Sequence, residues 1–241
     1  MQNLVTSTPE TDHTRRLVFW LAMEEWASRN ATDSFFIWNS RPTVIFGHNQ
    51  DMEAEVNVPY CREHGIEMYR RKSGGGCVYS DEGCLMLSFI TRDTNVNRAF
   101  STYLERLASA LRELGFESAI TQNNDVLVCG RKVSGNACYA TPKGCVIHGT
   151  LLYDTDFSVL EKAITPSAVK LESHHVKSVR QRVANLKEFG TDLSSDALKS
   201  KLIYYFCNNI QSTLTEAEMS QVCEIENSYL DENFIRYGRN H

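Results

Sequence analysis

The chain has no pair of cysteines at C-x-x-C spacing, no apolar run near the roughly 20 residues that cross a bilayer, and no surplus of positive charge. Each lack removes a class. Without paired spacing, Cys61, Cys77, Cys84, Cys129, Cys138, Cys145, Cys207 and Cys223 are expected to be free thiols in a protein too large to need staples. Cys138, Cys145 and His148 come nearest to a metal cluster, but their spacings fit no common zinc pattern and a clear fourth ligand is missing. With no long apolar run, and no apolar centre from Met1 to Asp12, neither a membrane span nor a secretory leader is expected, so the protein should be cytoplasmic with no membrane partner. A formal charge of -5 excludes a broad polyanion-binding face, and with it nucleic acid, while leaving room for a local basic cluster that holds one nucleotide. Two phosphate motifs are also missing: no G-x-x-x-x-G-K-[ST] occurs, and no G-x-G-x-x-G opens a helix.

What is present suits a sizeable globule. A composition of 42% hydrophobic and 23% charged residues is ordinary for folded domains. A chain of 241 residues buries roughly 70–75% of its unfolded surface. Leu17, Trp20, Leu21 and Glu24 recur at helical spacing between Asp12 and Asn30, with Trp26 near the edge of that face. Asn97 to Leu114 carries one stripe of Phe100, Tyr103, Leu104, Leu107, Leu111 and Leu114, and Gly115 supplies the stop. Further helices are expected over Asp156 to Ile164, Ser195 to Ile210 and Glu216 to Tyr229. Strand signals fall at Ser34 to Trp38, Thr43 to Phe46, Glu67 to Arg71, Cys77 to Tyr79, Leu85 to Ile90, Val126 to Cys129, Lys132 to Tyr139 and Val146 to Leu152. The turn residues Asn39-Ser40-Arg41-Pro42 join the first two as a hairpin. Strands interrupted by helices, with no repeat or linker, imply an α+β fold with a mixed sheet covered by helices.

Three segments carry chemistry. In Arg70-Arg71-Lys72-Ser73-Gly74-Gly75-Gly76-Cys77-Val78-Tyr79, cations lead into glycines and then a strand. Glycines let backbone N–H groups turn toward one point without Cβ interference, and arginine offers a planar fork for phosphate or carboxylate. Taken alone, the triple glycine reads more readily as a flexible hairpin with solvated charges. In Asn124-Asp125 and Gly130-Arg131-Lys132-Val133-Ser134-Gly135-Asn136-Ala137, a lysine stands between turn glycines in an apolar strand pattern. Lys132 suits neutralising a transferring phosphoryl group or an activated acyl carbonyl, although by itself it is a turn lysine. His148-Gly149-Thr150-Leu151-Leu152 sends a polar triplet into an apolar strand, where a lone histidine is usually a hydrogen-bonded core residue.

Together, R-R-x-S-G-G-G-x-V-Y, N-D, G-R-K-V-S-G-x-A and H-G-T-L-L, in that order, resemble the lipoate-protein ligase A family. The resemblance extends to Trp38-Asn39, Thr43 to Gly47, Asn57, Ser88-Phe89-Ile90, Lys177-Ser178-Val179-Arg180-Gln181-Arg182-Val183 and Asn185-Leu186. It covers about residues 12–190, followed by a helical part at about 191–241, read together as one catalytic domain.

The resemblance implies the biotin/lipoyl protein ligase catalytic-domain fold, which is class II synthetase-like. It implies ATP-dependent activation of lipoate to lipoyl-AMP and transfer of the lipoyl group to a lysine of a carrier domain, with ATP and Mg2+ as the cofactors. Arg71, Ser73, Gly74, Gly75, Gly76, Cys77, Val78 and Tyr79 would hold the nucleotide and adenylate. Asn124, Asp125, Ser134, Gly135, Ala137, His148, Gly149 and Thr150 would complete that site. Lys132 would be the catalytic residue at the acyl-phosphate junction, and Asp125 both a magnesium ligand and a helper in deprotonating the incoming amine. The implied partners are lipoyl carrier domains, of the 2-oxoacid dehydrogenase E2 or glycine cleavage H type.

Two departures qualify this. Tyr79-Ser80-Asp81-Glu82-Gly83-Cys84 stands where the family has Y-H-D-x-G-N, and Asn123 replaces a common arginine. The chain also stops near Tyr237-Gly238, where many members continue into an accessory domain, so that domain is expected to be absent, and a separate accessory-domain protein is a further candidate partner. Three alternatives stay open: the partner-dependent subunit of a split ligase, an ATP-independent lipoyl or octanoyl transferase working through a cysteine thioester, and a non-enzymatic binding subunit.

Overall fold

A computed structural model describes residues 1–30, 32–122, 124–165 and 182–238, apart from the side chains of residues 10 and 11. Asn123 and the stretch from Lys177 to Gln181 lie outside the described residues. The strands are β1 Gln2–Val5, β2 Ser34–Trp38, β3 Thr43–Phe46, β4 Glu67–Arg70, β5 Val78–Ser80, β6 Cys84–Thr91, β7 Ser118–Ile120, β8 Asp125–Val128, β9 Arg131–Thr141, β10 Gly144–Leu152 and β11 Gln211–Thr213. The α-helices are α1 Leu17–Arg29, α2 Met52–Glu55, α3 Val58–Glu63, α4 Val96–Glu113, α5 Phe157–Ala163, α6 Ser195–Cys207, α7 Glu216–Leu230 and α8 Glu232–Tyr237. None of the described helices is long and apolar enough to cross a membrane.

Eight strands form one sheet in the order β11-β1-β2-β6-β10-β9-β8-β7, and β4-β3-β5 form a second. Both are mixed: β1 is parallel to β2 and β11, and β3 to β4, while β3 and β5 and the long β6, β10 and β9 pair antiparallel. The expected α+β class with mixed pairing is what forms, with an additional small sheet. Period-two alternation gives the large sheet two buried faces. Phe35, Leu85, Leu87, Phe89, Ile147 and Leu151 enter one core with α4 and α6, while Phe36, Trp38, Met86, Ile90, Val146 and Leu152 enter the other with α1, α7 and the small sheet.

The stripe on α4 works as expected, with Tyr103, Leu104, Leu107 and Leu111 buried. The Asn95 side chain caps its start by accepting from Arg98 N, and Gly115 leaves it with φ +91°. α1 is buried all round rather than on one stripe, because β6 and β10 cover one side and α7 the other. The helix expected to run to Ile210 ends at Cys207, since Asn208 and Asn209 adopt left-handed φ of 48° and 61°. The hairpin expected between β2 and β3 does not form: β2 pairs with β1 and β6, and β3 with β4 and β5. The intervening turn is a corner between two sheets. Asn39 Nδ2 pins it by donating to the carbonyls of Glu82 and Cys84 at 3.0 and 2.9 Å, and Ser40 Oγ bonds Ser80 Oγ at 2.9 Å.

Arg70 ties the end of the described chain to this frame. Its buried guanidinium meets no carboxylate among the described residues; it donates to the carbonyls of Phe234, Ile235 and Arg236 at the end of α8, and to those of Gly47, His48 and Gln50. A buried cation is tolerable only when its donors are met, and each charge-assisted bond is worth about 1.5–3 kcal/mol. Arg70→Met, which fills the space but offers no donor, should therefore lower the unfolding free energy by about 3 kcal/mol or more in a denaturant titration. A loss under about 1 kcal/mol would show that the clamp contributes nothing net.

Candidate active site

The strand order lays a cavity of about 470 Å³ across the large sheet on its α1 side. Its floor runs from Trp38 on β2 and Met86 on β6, through His148 and Thr150 on β10, to Gly135 and Ala137 on β9 and Asp125 on β8. Those four strand steps span about 19 Å. Leu21 of α1, Ile45, Val78 and Leu152 add to the apolar wall, and Arg71 with Gly75 to Tyr79 bring the glycine loop to the same space.

Arg71 shapes that loop. Buried to 6% exposure, it donates from Nη2 to the carbonyls of Gly74 and Gly76 at 2.8 and 2.7 Å, from Nε to Ser73 Oγ at 3.0 Å and from Nη1 to the carbonyl of Ile45 at 3.3 Å. Burial lowers its guanidinium to about 10, opposed by Cys77 and Glu24. The loop bends around it: Gly75 takes φ +94°, and a Cβ on Gly47 would lie 2.3 Å from the carbonyl oxygen of Gly75. The planar fork expected to face a phosphate is thus largely spent on the loop's own carbonyls.

Lys132 lies at the charged side of the cavity, its Nζ 2.7 Å from Asp125 Oδ1, and Arg182 pairs with the other Asp125 oxygen. A bulge between Val126 and Leu127 sets the β8–β9 register, placing Asp125 opposite Gly135 and Leu127 opposite Lys132. The lysine crosses over Gly135, where a Cβ would stand 2.7 Å from Nζ and 2.8 Å from Cε. Burial lowers the Lys132 pKa, with Asp125 opposing and Arg182 reinforcing. Asn136, which the motif left as a variable position, donates from Nδ2 to the carbonyl of Asn124 at 3.0 Å. Its Oδ1 accepts from Tyr103 at 3.1 Å and Ser134 at 3.2 Å. Gly149 makes this possible, since its Cβ would fall 1.9 Å from that oxygen.

Of the residues picked out in the sequence, Arg71, Gly75, Gly76, Cys77, Val78, Tyr79, Asn124, Asp125, Lys132, Gly135, Ala137, His148, Gly149 and Thr150 line this one cavity. Ser73, Gly74 and Ser134 do not; Ser73 and Ser134 are buried supports and Gly74 is exposed, its carbonyl held by Arg71. Arg182, Trp38, Leu21, Met86 and Asn136 line it without having been assigned a role. Arg182 and Trp38 stood inside the matched segments, and that was their only signal. Both oxygens of Asp125 are engaged by cations, and no group of three or more His, Cys, Asp or Glu that could hold a metal occurs among the described residues. None of the eight cysteines is in a disulfide. Burial pushes the Cys84 and Cys138 thiols up to about 12, and among the described residues Cys77 is the thiol on the cavity wall.

The family model described as the lipoyl protein ligase A/B catalytic domain matches residues 18–207. The lipoate-protein ligase LplJ of Bacillus subtilis is 35% identical over 230 residues, which is 91% of this chain and 70% of that protein. Among solved structures, one from an archaeal lipoylation system, a bipartite lipoate protein ligase and its E2 lipoyl domain from Thermoplasma acidophilum, superposes with a TM-score of 0.85 at 27% identity, covering 100% of this chain and 98% of that one. A lipoate-protein ligase A bound with ATP superposes with a TM-score of 0.80 at 26% identity, covering 96% and 97%.

Gly135→Ala should push Lys132 Nζ off Asp125 at little cost to the fold, because the clash falls on the end of a flexible side chain. A crystal structure should show the ammonium displaced while the unfolding free energy stays within about 0.5 kcal/mol of the parent. An unmoved Nζ would mean that the glycine is not what makes room for it.

Proposed function

The chain belongs to the lipoyl protein ligase A/B catalytic-domain family, and from that premise we propose that it is a lipoate-protein ligase that forms lipoyl-AMP from lipoate and MgATP and passes the lipoyl group to a lysine of a lipoyl carrier domain. One observation supports this above the others: the glycine loop, Lys132 and an apolar wall meet in a single cavity. A volume of about 470 Å³ lies within the range of small-molecule sites.

The first step joins a carboxylate to the α-phosphate of ATP and expels pyrophosphate. Two anionic groups must approach, so cations fixed beforehand lower the barrier more than cations recruited during it. Lys132 and Arg182 meet that need, and Asp125 holds both in place until substrate arrives. Magnesium enters with the nucleotide as part of the substrate. Leu21, Trp38, Ile45, Met86 and Leu152 would take the acyl chain, whose burial contributes about 0.8 kcal/mol per CH₂. Such a wall selects against short acids and separates lipoate from octanoate only weakly.

In the second step the carrier lysine attacks the carbonyl and AMP leaves. A free lysine amine, with a pKa of about 10.4, is at most about 0.1% neutral at pH 7, so the amine must lose its proton on docking. Asp125 can accept it only by releasing Lys132 or Arg182, which the developing charge on the departing AMP would favour. The carrier is an E2-type or H-type lipoyl domain, and a separate accessory protein is compatible with this scheme.

Incubating the protein with lipoate, MgATP and an unmodified lipoyl domain should add one lipoyl group to the domain by mass spectrometry, with pyrophosphate released. An unmodified domain in the presence of every component, including a candidate accessory protein, would overturn the reading. Lys132→Ala should abolish the transfer while the circular dichroism spectrum is kept, and wild-type turnover in that variant would remove Lys132 from the reaction. The thioester alternative centres on Cys77. Cys77→Ala should retain ATP-dependent lipoylation, whereas complete loss together with ATP-independent transfer by the parent would move the assignment to a transferase.

A further inference from the structure

From the cavity wall a chain of buried polar groups runs inward, and of its members the reaction scheme uses only the Trp38 ring. Ser73 Oγ is 2.6 Å from His148 Nε2, and His148 Nδ1 is 2.8 Å from Glu24 Oε2. The other carboxylate oxygen, Oε1, accepts from Ser88 Oγ at 2.5 Å, and Ser88 Oγ accepts from Trp38 Nε1 at 2.9 Å. Glu24 and Ser73 are each 1% exposed, Ser88 is fully buried and His148 is 7% exposed. The links join α1, β6 and β10 to the glycine loop, across as many as 124 positions of sequence.

Donor counting fixes the direction of the Trp38 arm, and the neutral Nδ1–H tautomer of His148 gives that of the Ser73 arm. An indole N–H can only donate, so Trp38 uses a lone pair of Ser88 and leaves the Ser88 hydrogen for Glu24. A guanidinium likewise only donates, so Arg71 Nε uses a lone pair of Ser73. With the Nδ1 hydrogen on His148, that nitrogen donates to Glu24, and Nε2 accepts the Ser73 hydroxyl. Both arms therefore run toward Glu24, and only a residue that accepts on two oxygens can end them. A serine–histidine–acid sequence is also how a nucleophile is activated. Ser73 cannot serve that way, being buried, absent from the cavity wall and already an acceptor for Arg71.

We propose that Glu24 is a positioning residue for the glycine loop: through His148 and Ser73 it sets the Arg71 side chain, and Arg71 in turn holds the carbonyls of Gly74 and Gly76. His148 is the one member of the Glu24–His148–Ser73 path that touches the cavity, so a bound acyl group contacts the same ring that holds the loop in place. The catalytic arm of the test rests on the ligase reading; the structural arm does not.

Glu24→Gln replaces one of the two acceptor oxygens with a donor, so one arm must reverse or break. Amide hydrogen exchange over residues 73–77 should then accelerate about tenfold, the change in opening equilibrium expected from one lost charge-assisted hydrogen bond. KM for MgATP in pyrophosphate release should rise by about the same factor with a smaller change in kcat, because a loop that is only part of the time ordered taxes binding. The Glu24→Gln/Ser73→Ala double variant should be no worse than Ser73→Ala alone, since the path is already cut. Glu24→Asp, which keeps both oxygens but shortens the reach, should fall between parent and glutamine, and it carries the same comparison if Glu24→Gln does not fold. Unchanged exchange over 73–77 in a folded variant, or additive effects in the double, would overturn the proposal. A parent protein that released no pyrophosphate would count against the ligase reading alone, leaving the exchange comparison intact.

Discussion

The shape of the site depends on how one buried positive charge is satisfied. Among the described residues no carboxylate pairs with Arg71, and its side chain is nearly buried at the cavity wall. A charge in that position costs several kcal/mol unless its donors are met, and the nearest acceptors are the carbonyls of the glycines that follow it. Those residues must bend back on the arginine, which requires a left-handed Gly75 and a Gly47 without a side chain where the loop passes. The loop is therefore built from the charge outward, and the cavity mouth takes its shape from the loop.

Arg70, one residue earlier, performs the complementary task. Neighbouring residues of a strand face opposite sides, so one arginine points to the glycine loop and the other to the end of α8. Both are satisfied almost wholly by backbone carbonyls. That choice makes them insensitive to surface charge and salt, and it fixes two chain segments that have little regular pairing of their own.

The sequence was most readable where local chemistry decides the outcome. The stripe on α4 ended by Gly115, and the apolar runs of β6 and β10, lie within a residue or two of their expected places because burial and punctuation are both local. The turn at Asn39 to Pro42 was recognisable as a turn, yet which strand β3 would join depends on β4 and β5, more than 20 residues away, and no local signal carries that. The three-residue strands β7 and β11 escaped for the related reason that they exist only as additions to a sheet already formed. At the site, the glycine and lysine motifs gathered residues that do share a cavity. Glu24 fell on the apolar stripe of α1, where a carboxylate is out of place. Its partners Ser88 and His148 sit opposite one another only because β6 and β10 pair in that register. Arg182 needs Asp125, 57 residues earlier, before its role can be seen.

The strand order also says what kind of molecule the cavity suits. Its apolar floor lies on β2 and β6 and its cations beside β8 and β9, so the two chemistries are separated by the width of the sheet between them. A nucleotide alone would leave Trp38 and Met86 without an apolar partner, and a fatty acid alone would leave the far cations with Asp125 but no phosphate. Filling both at once takes a ligand with an apolar chain at one end and phosphate at the other. A mixed anhydride of a medium-chain acid with AMP has that form, and it is least stable in water. For the ligase proposed above, an apolar wall of this kind, with a loop fixed from behind, would shield the anhydride from hydrolysis until an amine reaches it.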